Sequence, residues 1–371
     1  MESVSGKVTV SVRLGIIAAM PQNETPHIPQ DVWWHPGRFE ARADFLVRRA
    51  DMVKSVREFF DRNGYVEVET PALQVSPGME PHLSAFETSL GDPHGARQSM
   101  YLHTSPEFAM KKLLAAGMQR IFQMARVFRE GERSAKHHPE FTMLEWYRAG
   151  ADWRSLADEA AEFVRSVCGP VARHGDHACN VAAPWEYLSV AEAVERGTGI
   201  DLLATAPDPL NPDTDALRFA ADGIGVRTDD GDTWEDIFFR IFLERIEPGL
   251  GVEVPTVLHS YPASMAALAR MSPDDPRVSD RFEIFVCGLE LANGYGELTD
   301  PAEQRARFAA MTEQRIAAGR DPLPVDEDFL AALDSGLPDC AGIALGFDRL
   351  VMLATGAERI EDVLWATVAG G

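Results

Sequence analysis

The alternation of apolar and polar positions is clearest between Ile121 and Tyr147, in IFQMARVFREGERSAKHHPEFTMLEWY. It predicts a strand from Ile121 to Arg129, a charged loop from Glu130 to His138, and a second strand from Glu140 to Tyr147. The loop carries Glu130, Glu132, Arg133, Lys136, His137 and His138. In the second strand Phe141, Met143, Glu145 and Tyr147 share one face, and Thr142, Leu144 and Trp146 share the other. A carboxylate on a half-buried face needs a partner. Glu145 therefore suggests a lined site, an aromatic floor with an anion aimed at a cationic group. Phe141 and Tyr147 lie roughly 20 Å apart along such a strand, which suits an elongated ligand with different chemistry at its two ends. An ordinary hairpin with a solvated loop fits the same pattern.

Helical periodicity predicts a helix from Phe39 to Asn63 stopped by Gly64, then a short strand from Tyr65 to Val68 ended by Thr70-Pro71. The stretch from there to Gly95 reads as loop, and Met100 to Thr104 as strand. Ser105-Pro106-Glu107 opens a helix through Ala116, with Thr104 or Ser105 as cap and Glu107 at the positive end, a place for a ligand's polar end. Residues from about 151 to 250 read as a mainly helical insertion, with helices at Trp153–Val167, Val190–Gly197, Ala216–Gly223 and Glu235–Arg245. Thr256 to Ser260 is a strand, followed by a helix over Ala263–Ala269. In RFEIFVCGLELAN a two-residue turn at Cys287-Gly288 pairs Phe285 with Glu290 and Glu283 with Ala292. Glu283 and Glu290 then share a face, and two carboxylates that close repel unless a cation sits between them; with phosphates nearby, magnesium is the natural occupant. Two exposed charges on a half-buried hairpin is the plainer reading. Asn293, Gly294, Gly296 and Glu297 follow, with Glu297 a second anion for a cationic group. Helices are expected over Thr299–Ala318 and Phe329–Gly336. GIALGFDRL then reads as a strand from Gly342 to Leu345, a turn at Gly346 and a helix from Asp348. Small residues at Gly342, Ala344 and Gly346 leave room for a flat ligand. Arg349 in the first helical turn opposes the helix dipole, as a phosphate clamp would.

Composition narrows the class. Among 371 residues, 35 basic and 58 acidic side chains give a net charge of −23, which argues against an extensive nucleic-acid or membrane footprint. No run approaches the ~20 apolar residues of a membrane span. The four cysteines are far apart and form no CxxC, which suggests free thiols in a reducing cytoplasm. His174, His177 and Cys179 crowd together, but they lack a fourth ligand and zinc spacing, so a polar surface loop is the reading. Asp229, Asp230 and Asp232 read as a solvated turn. Residues 1–32 read as a poorly ordered leader, with Met20 an alternative start, and residues 33–371 as the folded domain.

Three stretches together resemble the three motifs of class II aminoacyl-tRNA synthetases: the helix and strand ending at Pro71, FREGERSAKHHPEF, and GIALGFDRL. TSPEFAMKKLL, HHPEFTMLEWY and GLELANGYGELTD narrow the likeness to the lysyl branch. It is closer still to lysyl-tRNA synthetase paralogues that attach β-lysine to translation elongation factor P. The likeness covers about residues 40–371. It implies an α+β fold, the class II catalytic fold, with an antiparallel sheet flanked by helices and a homodimer formed through the first motif. It also implies ATP with Mg2+, an aminoacyl-adenylate of (R)-β-lysine or lysine, and transfer to a lysine of elongation factor P.

By motif position, Arg129 would hold the α-phosphate and the attacking carboxylate. Phe141 would stack beneath adenine, with Arg349 on its other face or on the γ-phosphate. Glu283 and Glu290 would take magnesium, and Leu291 and Gly346 would line the nucleotide. Ser105, Pro106 and Glu107 would meet the substrate's amino end. Glu145, Tyr147 and Glu297 would surround its distal ammonium, and Asn293 would orient it. Gly131 stands where the second motif usually has Glu, with Glu132 or Glu130 as a substitute. His138 stands where Asn often serves the nucleotide, and Ala344 where lysyl-tRNA synthetases usually have Gly. Only some forty residues precede the core here, too few for the five-stranded anticodon-binding barrel of lysyl-tRNA synthetases. A truncated tRNA-acting synthetase and a catalytically silent paralogue are the alternatives.

Overall fold

The computed structural model describes residues 32–368, so the leader expected at 1–32 lies almost wholly outside the described residues. Two compact units are distinguished. Met1–Ala41 contains the described helix Pro36–Ala41. Arg42–Gly371 is built on a sheet of eight strands: β1 (Val66–Glu67), β2 (Arg120–Phe128), β3 (Glu140–Ala149), β4 (Glu186–Ser189), β5 (Thr256–Pro262), β6 (Val278–Val286), β7 (Leu289–Gly296) and β8 (Cys340–Gly346). Their spatial order is β1-β2-β3-β8-β7-β6-β5-β4. The neighbours from β2 to β5 pair antiparallel, and a parallel strand closes each edge.

One face of the sheet is covered by the helices Ala43–Arg62, Trp153–Cys168 and Phe347–Thr355, whose apolar sides meet Phe122, Leu144, Trp146, Phe282, Ile284 and Ile343. Phe60 stacks on Phe122 with ring centroids 4.4 Å apart. The other face keeps its polar side chains and is flanked by the helices Glu107–Ala115, Pro301–Ala317 and Glu327–Asp334. The alternation read along β3 therefore sorts core from site: Leu144 and Trp146 go to the core, while the Tyr147 hydroxyl reaches Glu145.

Several elements depart from the sequence pattern. The helix expected from Phe39 is interrupted at Arg42. Glu87–Gly91, in the expected loop, is a strand paired with Arg97–Leu102. The segment between 151 and 250 also contributes β4 to the main sheet and a hairpin, Val171–His174 with His177–Asn180. That hairpin replaces the surface loop expected around Cys179, whose side chain is fully buried. Ala263–Ala269 forms only a 3-10 turn at Ala263–Met265, because Ala267 takes a positive φ of 50° and Ala269 bridges to Glu297. The β6–β7 hairpin turns at Cys287-Gly288 and pairs Phe285 with Glu290, as read. A bulge then places Glu283 opposite Asn293 rather than Ala292, and Leu291 is the extra residue.

A buried polar link crosses the core face. Arg49, on the helix Ala43–Arg62, pairs with Asp348 and donates to Thr142 Oγ1 at 3.0 Å and to the Val363 carbonyl at 3.2 Å. The other Asp348 oxygen accepts the Thr142 backbone N–H at 2.7 Å. Removing one partner of a buried, hydrogen-bonded pair strands the other charge. Asp348→Ala should therefore cost about 3–5 kcal/mol of stability, read as a lower urea midpoint by tryptophan fluorescence. The double change Arg49→Met with Asp348→Leu should recover much of that loss.

Candidate active site

Strand register lays the site out in rows, because residues directly opposite each other in an antiparallel pair point to the same side. One row runs Glu145, Ala344, Asn293, Glu283 across β3, β8, β7 and β6. The next runs Tyr147, Gly342, Tyr295, Arg281. Three strand spacings separate Glu145 from Glu283, about 14 Å. The sheet thus carries an acidic pocket at one end and a mixed cationic and acidic end at the other.

The acidic pocket is built where the helix Glu107–Ala115 meets β3 and the chain after β7. Ser105 Oγ donates to Glu145 Oε2 at 2.7 Å, and the Tyr147 hydroxyl donates to Glu145 Oε1 at 2.6 Å. Ser105 Oγ also accepts the Glu107 N–H at 3.1 Å. Ser105, Pro106, Glu107 and Glu80 line one small cavity. Burial and then the neighbouring Glu107 carboxylate push Glu145 up to about 8. Burial likewise raises Glu80 and Glu297, with Glu107 adding to both and Lys111 opposing.

Lys111 was not singled out from the sequence. Its side chain is fully shielded, and its Nζ lies 2.5 Å from both Glu107 Oε1 and Glu297 Oε2. The signal was available, since Glu107, Met110, Lys111 and Leu114 are buried together on one helical stripe, and Glu107 and Lys111 are an i, i+4 pair. Glu297, expected to serve a ligand's ammonium, thus already carries an internal one on one oxygen. Gly342 does not open space for a flat ligand as read: a Cβ there would collide with the Tyr147 ring and Glu297 Oε1.

Further along β3 from Glu145, the Arg129 guanidinium lies 5.3 Å from the centre of the Phe141 ring, and Glu132 stands 4.0 Å from Arg129. Glu130 is exposed and Glu132 is half-buried, and between them Gly131 has a φ of 81° that a side chain would strain. Arg349 donates to the Glu290 carbonyl at 2.7 Å and meets His137 Nε2 at 2.8 Å. Burial, then Arg349, lowers His137 to about 4, so it accepts from the guanidinium as a neutral ring. His137 is a second residue that the sequence reading left without a role. A Cβ at Gly346 would meet the Arg349 stem at 3.5 Å, an ordinary contact.

Two expected nucleotide contacts do not face this site. His138 Nδ1 meets the Glu140 carbonyl at 2.6 Å and Nε2 accepts the Val368 N–H at 3.3 Å, so both ring nitrogens serve the backbone. The Leu291 side chain packs in the core.

Unmet groups indicate what the site takes. Arg129 Nε, Asn293 Oδ1 and Glu297 Oε1 are buried without a hydrogen-bond partner. Such a donor suits a phosphate oxygen, and such acceptors suit an ammonium. Among the described residues no group of three or more His, Cys, Asp or Glu side chains is arranged to hold a metal. Glu283 and Glu290 are mutually repelling, with Glu283 raised by burial and also held by Arg281 at 2.7 Å. Two carboxylates fit Mg2+ when the remaining ligands are phosphates and water.

Residues 33–366 match the family described as tRNA synthetases class II (D, K and N), and the chain belongs to that family. It is also similar to a protein of Proteus mirabilis (strain HI4320) named elongation factor P--(R)-beta-lysine ligase, 42% identical over 335 residues, which are 89% of this chain and 96% of that protein. Proteins of the same name from Salmonella arizonae and Klebsiella pneumoniae (strain 342) are 42% and 41% identical over 339 residues, covering 90% of this chain and 97% of each.

The raised Glu145 predicts a proton-linked pocket. Below pH 8 an ammonium must displace a proton from Glu145, so affinity should rise with pH up to about 8 and level off above it. The KM of a diamino acid measured from pH 6.5 to 9 checks this, and Glu145→Gln should lower the pH at which affinity levels off, because Glu297, raised to about 7, still titrates.

Proposed function

We propose that the protein is an ATP-dependent ligase that activates (R)-β-lysine, or lysine less well, as an adenylate and transfers it to a lysine side chain of translation elongation factor P. The observation that carries this reading is the row from Glu145 to Glu283. It sets the ammonium pocket at Glu145 about 14 Å from the proposed metal ligand Glu283, with Arg129 and Phe141 further along β3 and Arg349 after β8, a spread that an aminoacyl-adenylate with its metal would span. The names of the relatives, at 41–42% identity across nearly their whole length, support the choice of substrate and acceptor.

In this reading Glu145, Tyr147 and Glu297 Oε1 surround the distal ammonium. Ser105, Pro106, Glu107 and Asn293 orient the other amine and the carboxylate. Ala344, opposite both Glu145 and Asn293, sets the depth of the pocket with its methyl group. Arg129 supplies its unmet Nε–H to the α-phosphate and the attacking carboxylate, Phe141 is the floor for adenine, and Arg349, braced by His137, neutralises the distal phosphates. Gly346 and the backbone at Leu291 border the nucleotide, while His138 shapes the loop. Mg2+ held by Glu283 and Glu290 would offset negative charge on the phosphates. The carboxylate oxygen bonds to the α-phosphorus as the bond to pyrophosphate breaks. The acceptor's amine then attacks the acyl carbon, AMP leaves, and a proton is lost as the amide forms. Positioning and charge neutralisation carry most of this chemistry.

We further infer that residues 33–371 form the catalytic domain with an insertion at about 151–250, and that the chain works in the cytoplasm. We also infer a homodimer through the first motif, where β1 presents exposed Val66 at the edge of the sheet. Among the described residues no helix is long and apolar enough to cross a membrane.

ATP–pyrophosphate exchange with Mg2+ tests the reaction, comparing (R)-β-lysine, lysine and no amino acid. Exchange should be strongest with β-lysine, and label should then move to elongation factor P and not to tRNA. Exchange with lysine alone and transfer to tRNA would favour a synthetase acting on tRNA. No exchange with either amino acid would favour a silent paralogue.

A further inference from the structure

We propose that Lys111 is a specificity-determining residue of the amino-acid pocket, an internal ammonium that holds Glu107 and Glu297 and leaves a single vacancy for a substrate ammonium between Glu145 and Glu297 Oε1. The inference rests on the proposed function and assigns a role within that same pocket.

The geometry is unusual for a lysine. Its side chain is fully shielded from solvent, with Nζ 6.0 Å from the centre of the Phe329 ring and 2.5 Å from two carboxylates on different elements. Glu107 comes from the helix that opens at Pro106, and Glu297 from the chain leaving β7. The Glu297 backbone is fixed as well, its N–H bonded to the Cys340 carbonyl at 3.0 Å and its strand position bridged to Ala269. Lys111 then fixes the carboxylate: Oε2 faces Nζ, and Oε1 is turned toward Tyr147 and Gly342 without a partner. That free oxygen lies toward Tyr147, whose hydroxyl holds Glu145.

Charge sets the count. Glu80, Glu107, Glu145 and Glu297 crowd one buried region, and Lys111 is the cation in contact with two of them, with Arg129 also bearing on Glu80 and Arg270 on Glu297. Without Lys111 two of these carboxylates would face each other unscreened, and they would take up protons or swing apart. A protonated Glu297 no longer rewards a distal ammonium, so discrimination between diamino and monoamino substrates would collapse even with the nucleotide end intact. Lys111 acts through Glu297 and Glu107 and touches no reacting atom, which makes it a positioning residue.

The test is pyrophosphate exchange by the full chain with (R)-β-lysine and with 3-aminohexanoate, the same skeleton lacking the distal ammonium. In Lys111→Met the KM for β-lysine should rise roughly tenfold or more, with the KM for ATP within about twofold. The preference for β-lysine over 3-aminohexanoate should fall by a similar factor. Lys111→Ala, measured in parallel, should recover its preference for β-lysine when ethylammonium is added, because the small amine fills the space left by the side chain. A folded Lys111→Met with unchanged KM and preference would overturn the inference alone. So would parallel losses for ATP and β-lysine in both variants without rescue by ethylammonium. Wild-type protein giving no exchange with any diamino acid would overturn the proposed function and this inference together.

Discussion

The buried pair of Arg49 and Asp348 ties three separate pieces of the chain at one point. Arg49 belongs to the first long helix, Thr142 to β3, and Asp348 to the helix after β8. Asp348 spends one oxygen on the guanidinium and the other on the Thr142 amide. The neighbours of the two strapped residues are Phe141 and Arg349, the floor and the clamp proposed for the nucleotide. A shift of the link would therefore move both at once. Desolvating such a pair makes it a weak source of net stability. Its value here is registration, because a partner displaced by one residue would leave a charge unpaired in the core.

Registration matters because the site is written across strands rather than along one. Glu145, Ala344, Asn293 and Glu283 come from four strands and share a face only through ladder pairing. A one-residue slip of any strand would turn its contribution into the core. The packing on the far side opposes such slips: Trp146 and Leu144 from β3, Ile343 from β8 and Ile284 from β6 fill one cluster with Phe60 and Phe163. The same alternation that buries those side chains delivers the polar ones.

The parts of this arrangement set by local period were legible in the sequence. Phe141, Glu145 and Tyr147 followed from alternation in β3, and the turn at Cys287-Gly288 brought Glu283 toward Glu290. What depended on tertiary contact was not. The bulge at Leu291 changes pairing without changing composition, so the partner of Glu283 was misread as Ala292. The strands Glu87–Gly91 and Glu186–Ser189 are short, and each exists through the partner it pairs with. His138 looked like a ligand because of its motif position, yet its two nitrogens are consumed by backbone groups at Glu140 and Val368, the latter near the far end of the chain. Lys111 was hidden for a different reason. A lysine next to another lysine reads as surface, and only the stripe shared with Met110 and Leu114 places it inward.

The two ends of the site solve opposite electrostatic problems inside one acidic protein. At the proposed ammonium end, carboxylates are gathered beyond what burial tolerates, so protons and Lys111 hold the surplus. At the proposed nucleotide end, Arg129 and Arg349 are half-buried and given soft partners: an aromatic face, a neutral imidazole, a backbone carbonyl. None of these cancels a guanidinium charge as a carboxylate at contact distance would; Glu132 and Glu290 stand back at 4.0 and 3.8 Å. The cations are thereby positioned without being spent, and a polyphosphate can claim them at little cost in broken ion pairs. A net charge of −23 around such a pair of arginines repels long polyanions while leaving a small, localised field for one nucleotide.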